Sequence, residues 1–171
     1  MKNEVASFNT DTTQGGQFLT FQCAGEQYAL SIASIKEIIE YGLVTPVPRM
    51  PAFIRGVINL RGSVVPVIDM AARLGFAPTP VRNRTCVVMI ELQTEDGPMG
   101  MGLMVDGVSE VIDLTPQDMQ PSPNFGARIR ADFIACMARV KGKFVIVMRI
   151  EQVLSVSEMA DLARMGCEQR V

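Results

Sequence analysis

The chain has 171 residues, 48% of them hydrophobic, with a formal net charge of −2, a pI near 5.2 and no histidine. That is enough apolar content for one domain or two small fused ones. The charge argues against a nucleic-acid footprint, which needs a concentrated basic surface. Without histidine, Ser-His-Asp and Cys-His catalysis, imidazole metal ligation and a phospho-accepting histidine are all excluded.

Residues 1–16 are polar and end in Gly15-Gly16, which predicts a disordered tail with no signal-peptide run. No stretch has the roughly 18 apolar residues of a membrane helix, so direct membrane insertion is not expected. Gln17 to Cys23 reads as a strand, turned at Ala24 to Gln27 and returning over Tyr28 to Ile32. Ser34-Ile35-Lys36-Glu37 matches a capping box and predicts a short helix through Ile38-Ile39. Thr45 to Pro51 holds three prolines and reads as an extended connector.

Gly56 to Asp69 organises the chain. It reads as two short strands joined at Arg61-Gly62-Ser63, with Gly62 suited to a positive φ. Period 2 puts Val57, Asn59 and Arg61 on one face, and Ile58 and Leu60 on an apolar one. Pro66 predicts an edge strand or a bulge. Asp69 is a good N-cap for a helix from Met70 to Leu74, stopped by Gly75. Phe76 to Arg84 is a linker. Thr85 to Leu92 and Met99 to Val105 form the next strand pair, and Thr115-Pro116-Gln117-Asp118 carries helix-start chemistry. Phe133 to Val140 and Phe144 to Ile150 read as a hairpin around Lys141-Gly142-Lys143. Residues 155–171 read as a terminal helix, opened by a second box at Ser155 and Glu158. The cysteines (Cys23, Cys86, Cys136, Cys167) lie far apart, without metal-ligand spacing, and three sit in apolar runs that predict burial.

The second half repeats the first. Phe53-Ile54, Gly62, Val65, Val67 and Leu74 recur 80 residues on as Phe133-Ile134, Gly142, Val145, Val147 and Leu154. Leu30, Ile35, Glu37 and Ile38-Ile39 recur 73 residues on as Leu103, Val108, Glu110 and Val111-Ile112. Two similar units of about five short strands favour two small barrels, assigned to residues 17–84 and 85–154. Asn59 and Arg61 fall on Arg139 and Lys141, so the polar face of the first hairpin is expected not to be copied. Glu37 has two readings: it bonds back to the backbone of Ser34, or it projects toward Arg61. No nucleophile, acid–base pair or metal site assembles, so no enzyme and no cofactor is expected.

The run Pro51 to Gly62, with Val65-Pro66-Val67-Ile68-Asp69 behind it, closely resembles the signature of the CheW family; Gly102 to Val108 and Phe144 to Leu154 continue the likeness. These adaptor proteins couple chemoreceptors to the histidine kinase CheA in chemosensory arrays. The resemblance implies an all-β fold with short helices, built as two intertwined five-stranded SH3-like barrels. It implies no catalysis and a cytoplasmic protein recruited to membrane-associated arrays. It also implies a groove for the chemoreceptor cytoplasmic tip, lined by Ile35, Glu37, Ile38, Gly56, Val57, Asn59 and Arg61. The other implied partner is the regulatory domain of CheA, with which family members build rings, and self-association there is among the contacts the resemblance allows; it assigns no kinase-contact residues. One departure stands out: the helix after Asp69 reads Met70-Ala71-Ala72-Arg73, where family members often carry an arginine earlier. A stand-alone module that regulates the kinase without binding receptors, or one serving a non-flagellar pathway, is the alternative.

Overall fold

A computed structural model describes residues 15–42, 44–121 and 129–155. Most of the expected tail, Cys167 and the expected terminal helix beyond Ser155 lie outside the described residues. In chain order come β1 (Gly16–Cys23), β2 (Glu26–Ser31), β3 (Ile35–Glu40), β4 (Ile54–Leu60), β5 (Ser63–Asp69), α1 (Met70–Arg73), β6 (Cys86–Thr94) and β7 (Gly97–Val105). Then follow β8 (Gly107–Leu114), β9 (Met119–Gln120), β10 (Ile134–Val140), β11 (Lys143–Met148) and α2 (Ile150–Val153). The strand expected over Gln17 to Cys23 already includes Gly16.

Two sheets form, in the orders β3-β6-β7-β5-β4 and β8-β1-β2-β11-β10-β9. The fold is all-β with short helices. A boundary near residue 84 does not separate these sheets: the first is built from residues 35–105 and sits inside the chain path of the second. The halves have traded strands, because β5 runs parallel to β7 and β11 parallel to β2. These pairings are equivalent under the repeat, Val67↔Gly102 matching Val147↔Ala29. A shared parallel pairing holds the halves together more tightly than a linker would.

The repeat extends to fine geometry. Each hairpin has a register shift at the start of its first strand, at Ile54/Gly56 and at Ile134/Cys136. The Asp69 N–H donates to the Phe53 carbonyl at 2.6 Å, and the Arg149 N–H to the Phe133 carbonyl at 2.8 Å. The turns match as well: Arg61 and Gly62 have φ of 52° and 87°, Lys141 and Gly142 52° and 80°. Two successive positive φ values mark the hairpin turn whose twist suits the flanking strands.

Each sheet encloses its own apolar cluster, one around Ile58, Val65, Val67, Val87 and Met104, the other around Phe18, Ala29, Ala138, Val145 and Val147. A third and larger cluster lies between the sheets, including Phe21, Tyr28 and Leu30 from one, and Val88, Ile90 and Leu103 from the other. Side-chain alternation explains the arrangement, since successive residues of β6 serve the inner and the shared core in turn.

Two local expectations fail for identifiable reasons. Ser34 to Ile39 is not a helix. Ile32 to Ser34 make one 3₁₀ turn, capped by the Ser31 hydroxyl, which accepts from the Ala33 N–H at 3.2 Å, and Ile35–Glu40 is a strand. Three of its six residues are β-branched isoleucines, and pairing with β6 outweighs a capping box. Pro66 lies in an interior strand. Opposite it, Val57 directs its backbone groups at Thr45 (2.8 and 2.9 Å), and the ladder to β7 starts only at Val67, so no N–H is needed at position 66.

The expected cap at Asp69 is present. Its side chain is fully buried and accepts from the Ala72 N–H (3.3 Å), the Thr79 N–H (2.8 Å) and the Thr79 hydroxyl (2.7 Å), fastening the linker to the end of β5. Thr115 to Asp118 start one 3₁₀ turn, and Phe144 to Ile150 divides into β11 and α2. Cys23, Cys86 and Cys136 are buried as expected, and burial pushes the Cys23 thiol up to about 12.

Candidate functional site

The singled-out residues come from β3 and from the β4–β5 hairpin, the two ends of the first sheet. Arg61, in the turn, reaches across to Glu37 of β3. Nη1 donates to Oε2 at 2.8 Å and Nη2 to Oε1 at 3.1 Å. The two-point pairing holds the guanidinium in one plane. It also draws together two strands that share no ladder, closing the barrel. The open reading of Glu37 is thereby decided: it faces Arg61. The pair is solvated, with the Arg61 side chain 72% exposed, so its worth lies in orientation more than stability. The hydrogen bond from Arg61 lowers the Glu37 pKa, and the same bond raises that of Arg61.

The remaining residues divide by role. The Asn59 side-chain oxygen accepts from the Gly62 N–H at 2.9 Å, so Asn59 builds the turn while staying exposed. Gly56 is buried with φ +149°, and a Cβ there would collide with the Thr45 carbonyl oxygen. It lets the connector cross β4. Val57 is half-buried beside it and pairs with Thr45. Along β3, Ile35 opposes Ile90 and Ile38 opposes Val88, both members of the core between the sheets, whereas Glu37 opposes Met89 of the inner cluster. Ile35 and Ile38 therefore belong to the side facing the inter-sheet region and Glu37 to the other. Ile35 packs on that core, and Ile38 is 42% exposed.

The expectation that the polar face of the first hairpin is not copied fails for its charge pair. The charge pair is copied: Lys141 Nζ lies 3.2 Å from Glu110 Oε2 and joins the ends of the second barrel as Arg61 and Glu37 join those of the first. Glu37 and Glu110 are 73 residues apart and Arg61 and Lys141 80 apart, so the signal was present in the two offsets. Asn59 is not copied. Among the described residues no cluster of three potential metal ligands occurs. No described helix is long and apolar enough to cross a membrane.

The family model for the CheW-like domain matches residues 17–158. A chemotaxis protein CheW of Klebsiella aerogenes is 33% identical over 148 residues, covering 86% of this chain and 87% of that protein. One of Rhizobium meliloti is 27% identical over 147 residues, covering 86% and 92%. The crystal structure of the scaffolding protein TtCheW from Thermoanaerobacter tengcongensis superposes with a TM-score of 0.73 at 29% identity, covering 83% of this chain and 89% of that one. The chain belongs to the CheW family of non-catalytic scaffold proteins.

Proposed function

We propose that this chain is a cytoplasmic adaptor that couples chemoreceptors to the histidine kinase CheA in membrane-associated arrays. Ile35, Glu37, Ile38, Gly56, Val57, Asn59 and Arg61 form its receptor-binding region. The observation that carries the reading is the exposed Arg61 guanidinium, held flat by Glu37 across the two ends of the first sheet. A fixed, exposed donor fork is a polar anchor of the kind that a helix-binding surface uses, and Ile38 offers an exposed apolar side chain on the other face of the same strand. Gly56 and Asn59 contribute by shaping the hairpin that carries Arg61.

Arg61→Glu is expected to weaken binding of a receptor cytoplasmic fragment by about tenfold or more, with kinase binding unchanged. The charge swap Arg61→Glu with Glu37→Arg restores the pair and the melting temperature but not receptor affinity. Equal loss of kinase and receptor binding in Arg61→Glu, or recovery of receptor binding in the swap, contradicts the assignment.

A further inference from the structure

The two halves differ in charge along their hairpins. From Phe133 to Ile150 the sequence has four cations, Arg139, Lys141, Lys143 and Arg149, and no carboxylate; the matching stretch from Phe53 to Met70 has Arg55, Arg61 and the buried Asp69. Three of the four cations gather where β10 turns into β11. Lys141 is accounted for by barrel closure through Glu110. Arg139 and Lys143 are not, because the first hairpin makes the same turn with Asn59 and Ser63. Phe144 stands where the first hairpin has Val64. Its side chain is 47% exposed, and the Arg139 guanidinium lies 5.5 Å from its ring centre.

The common fold therefore needs none of Arg139, Lys143 or Phe144. An exposed aromatic ring beside an arginine is the composition of protein-docking centres. In a chain of net charge −2 this local excess of positive charge selects a negatively charged partner. Stacked on the ring, the Arg139 guanidinium keeps its planar N–H edge for a carboxylate. A polybasic membrane segment uses roughly 4–8 cations, more than this tip has, one of which is already paired. We infer that the tip of the β10–β11 hairpin docks an acidic protein surface, one that offers an apolar pocket to Phe144 and carboxylates to Arg139 and Lys143. The test rests on the adaptor reading in its choice of probes, a receptor cytoplasmic fragment and the kinase.

The variant Arg139→Asn, Lys143→Ser and Phe144→Val gives the second tip the residues of the first, which already make this turn. Binding of each probe is measured at several salt concentrations, alongside binding to phosphatidylglycerol vesicles. The expected result is a loss of about tenfold or more for one probe, with a flatter salt dependence, and no loss for that probe in Arg61→Glu. Wild-type binding of both probes by the tip variant overturns the inference and leaves the adaptor reading standing. So does a loss that Arg61→Glu reproduces on the same probe, or a loss confined to vesicles. If neither probe binds the wild-type chain, the adaptor reading and this inference fall together.

Discussion

The Nε of Arg73 donates a 2.7 Å hydrogen bond to the carbonyl oxygen of Val153, the residue that occupies the same position in the second half of the chain. The flanking rings are also repeat partners: Phe53 and Phe133 lie 5.3 and 4.9 Å from the guanidinium. The pseudo-two-fold relation between the halves thus passes through a single buried arginine. The contact joins α1 to α2 in the core between the sheets. Lacking an arginine earlier in α1, this chain places its cation where it touches both halves.

Arg73→Ala removes a desolvated stack and leaves a buried carbonyl without its donor, which together cost about 3 kcal/mol. Arg73→Lys recovers less than half of that, because an ammonium cannot lie flat between two rings. Urea melts of the three proteins check this, and an alanine variant as stable as wild type contradicts it.

Gly56→Ala is expected to destabilise by about 3 kcal/mol or more, since the new methyl meets the Thr45 carbonyl and φ is positive. Gly100→Ala is the control: a Cβ there meets nothing within 4 Å, and its φ lies outside the strained range. Thermal melts that fall equally for both substitutions would show that the Thr45 contact is not the cause.

The Tyr28 hydroxyl is buried without a hydrogen-bond partner among the described residues, and burial, then the neighbouring Cys23 and Glu26, raise its pKa far above the ordinary phenol range. Removing an unsatisfied polar atom relieves its desolvation cost. Tyr28→Phe should therefore leave stability unchanged or raise it by about 1 kcal/mol. A clear loss in denaturant titration would reveal a partner for the hydroxyl in solution.

The Glu37–Arg61 pair gives a pH dependence of definite sign. The folded carboxyl has a lowered pKa, so the pair's contribution is fully present above the ordinary glutamate value, about 4.3, and is lost as pH falls through the folded value. Arg61 stays charged throughout this window. Following the Glu37 carboxyl by NMR should give a midpoint below that of an ordinary glutamate in wild type, returning toward it in Arg61→Met. The same midpoint in both proteins would mean that the pair does not persist in solution.

Much of this architecture could be read from the residues. Apolar and β-branched runs marked β1, β4, β5 and β10, and the two offsets of the repeat implied paired barrels. The SH3-like family fold agrees with that reading. The β3 strand was missed because Ser34 and Glu37 mimic a helix start, and only the partner strand β6 decides between the two local states. The strand exchange was hidden for a related reason: a repeat shows which segments are alike, not which pair with which. Arg61 and Glu37 were legible as a candidate pair. The roles of Gly56 and Asn59 were not, since both depend on where Thr45 and Gly62 place their backbone groups.

The most direct test of the adaptor account is a pull-down of the full chain with a receptor cytoplasmic fragment and the kinase, each alone and then together. A ternary complex that Arg61→Glu deprives of receptor but not of kinase is the predicted result. Kinase binding without receptor binding in the wild-type chain contradicts the account and favours a stand-alone regulator of the kinase.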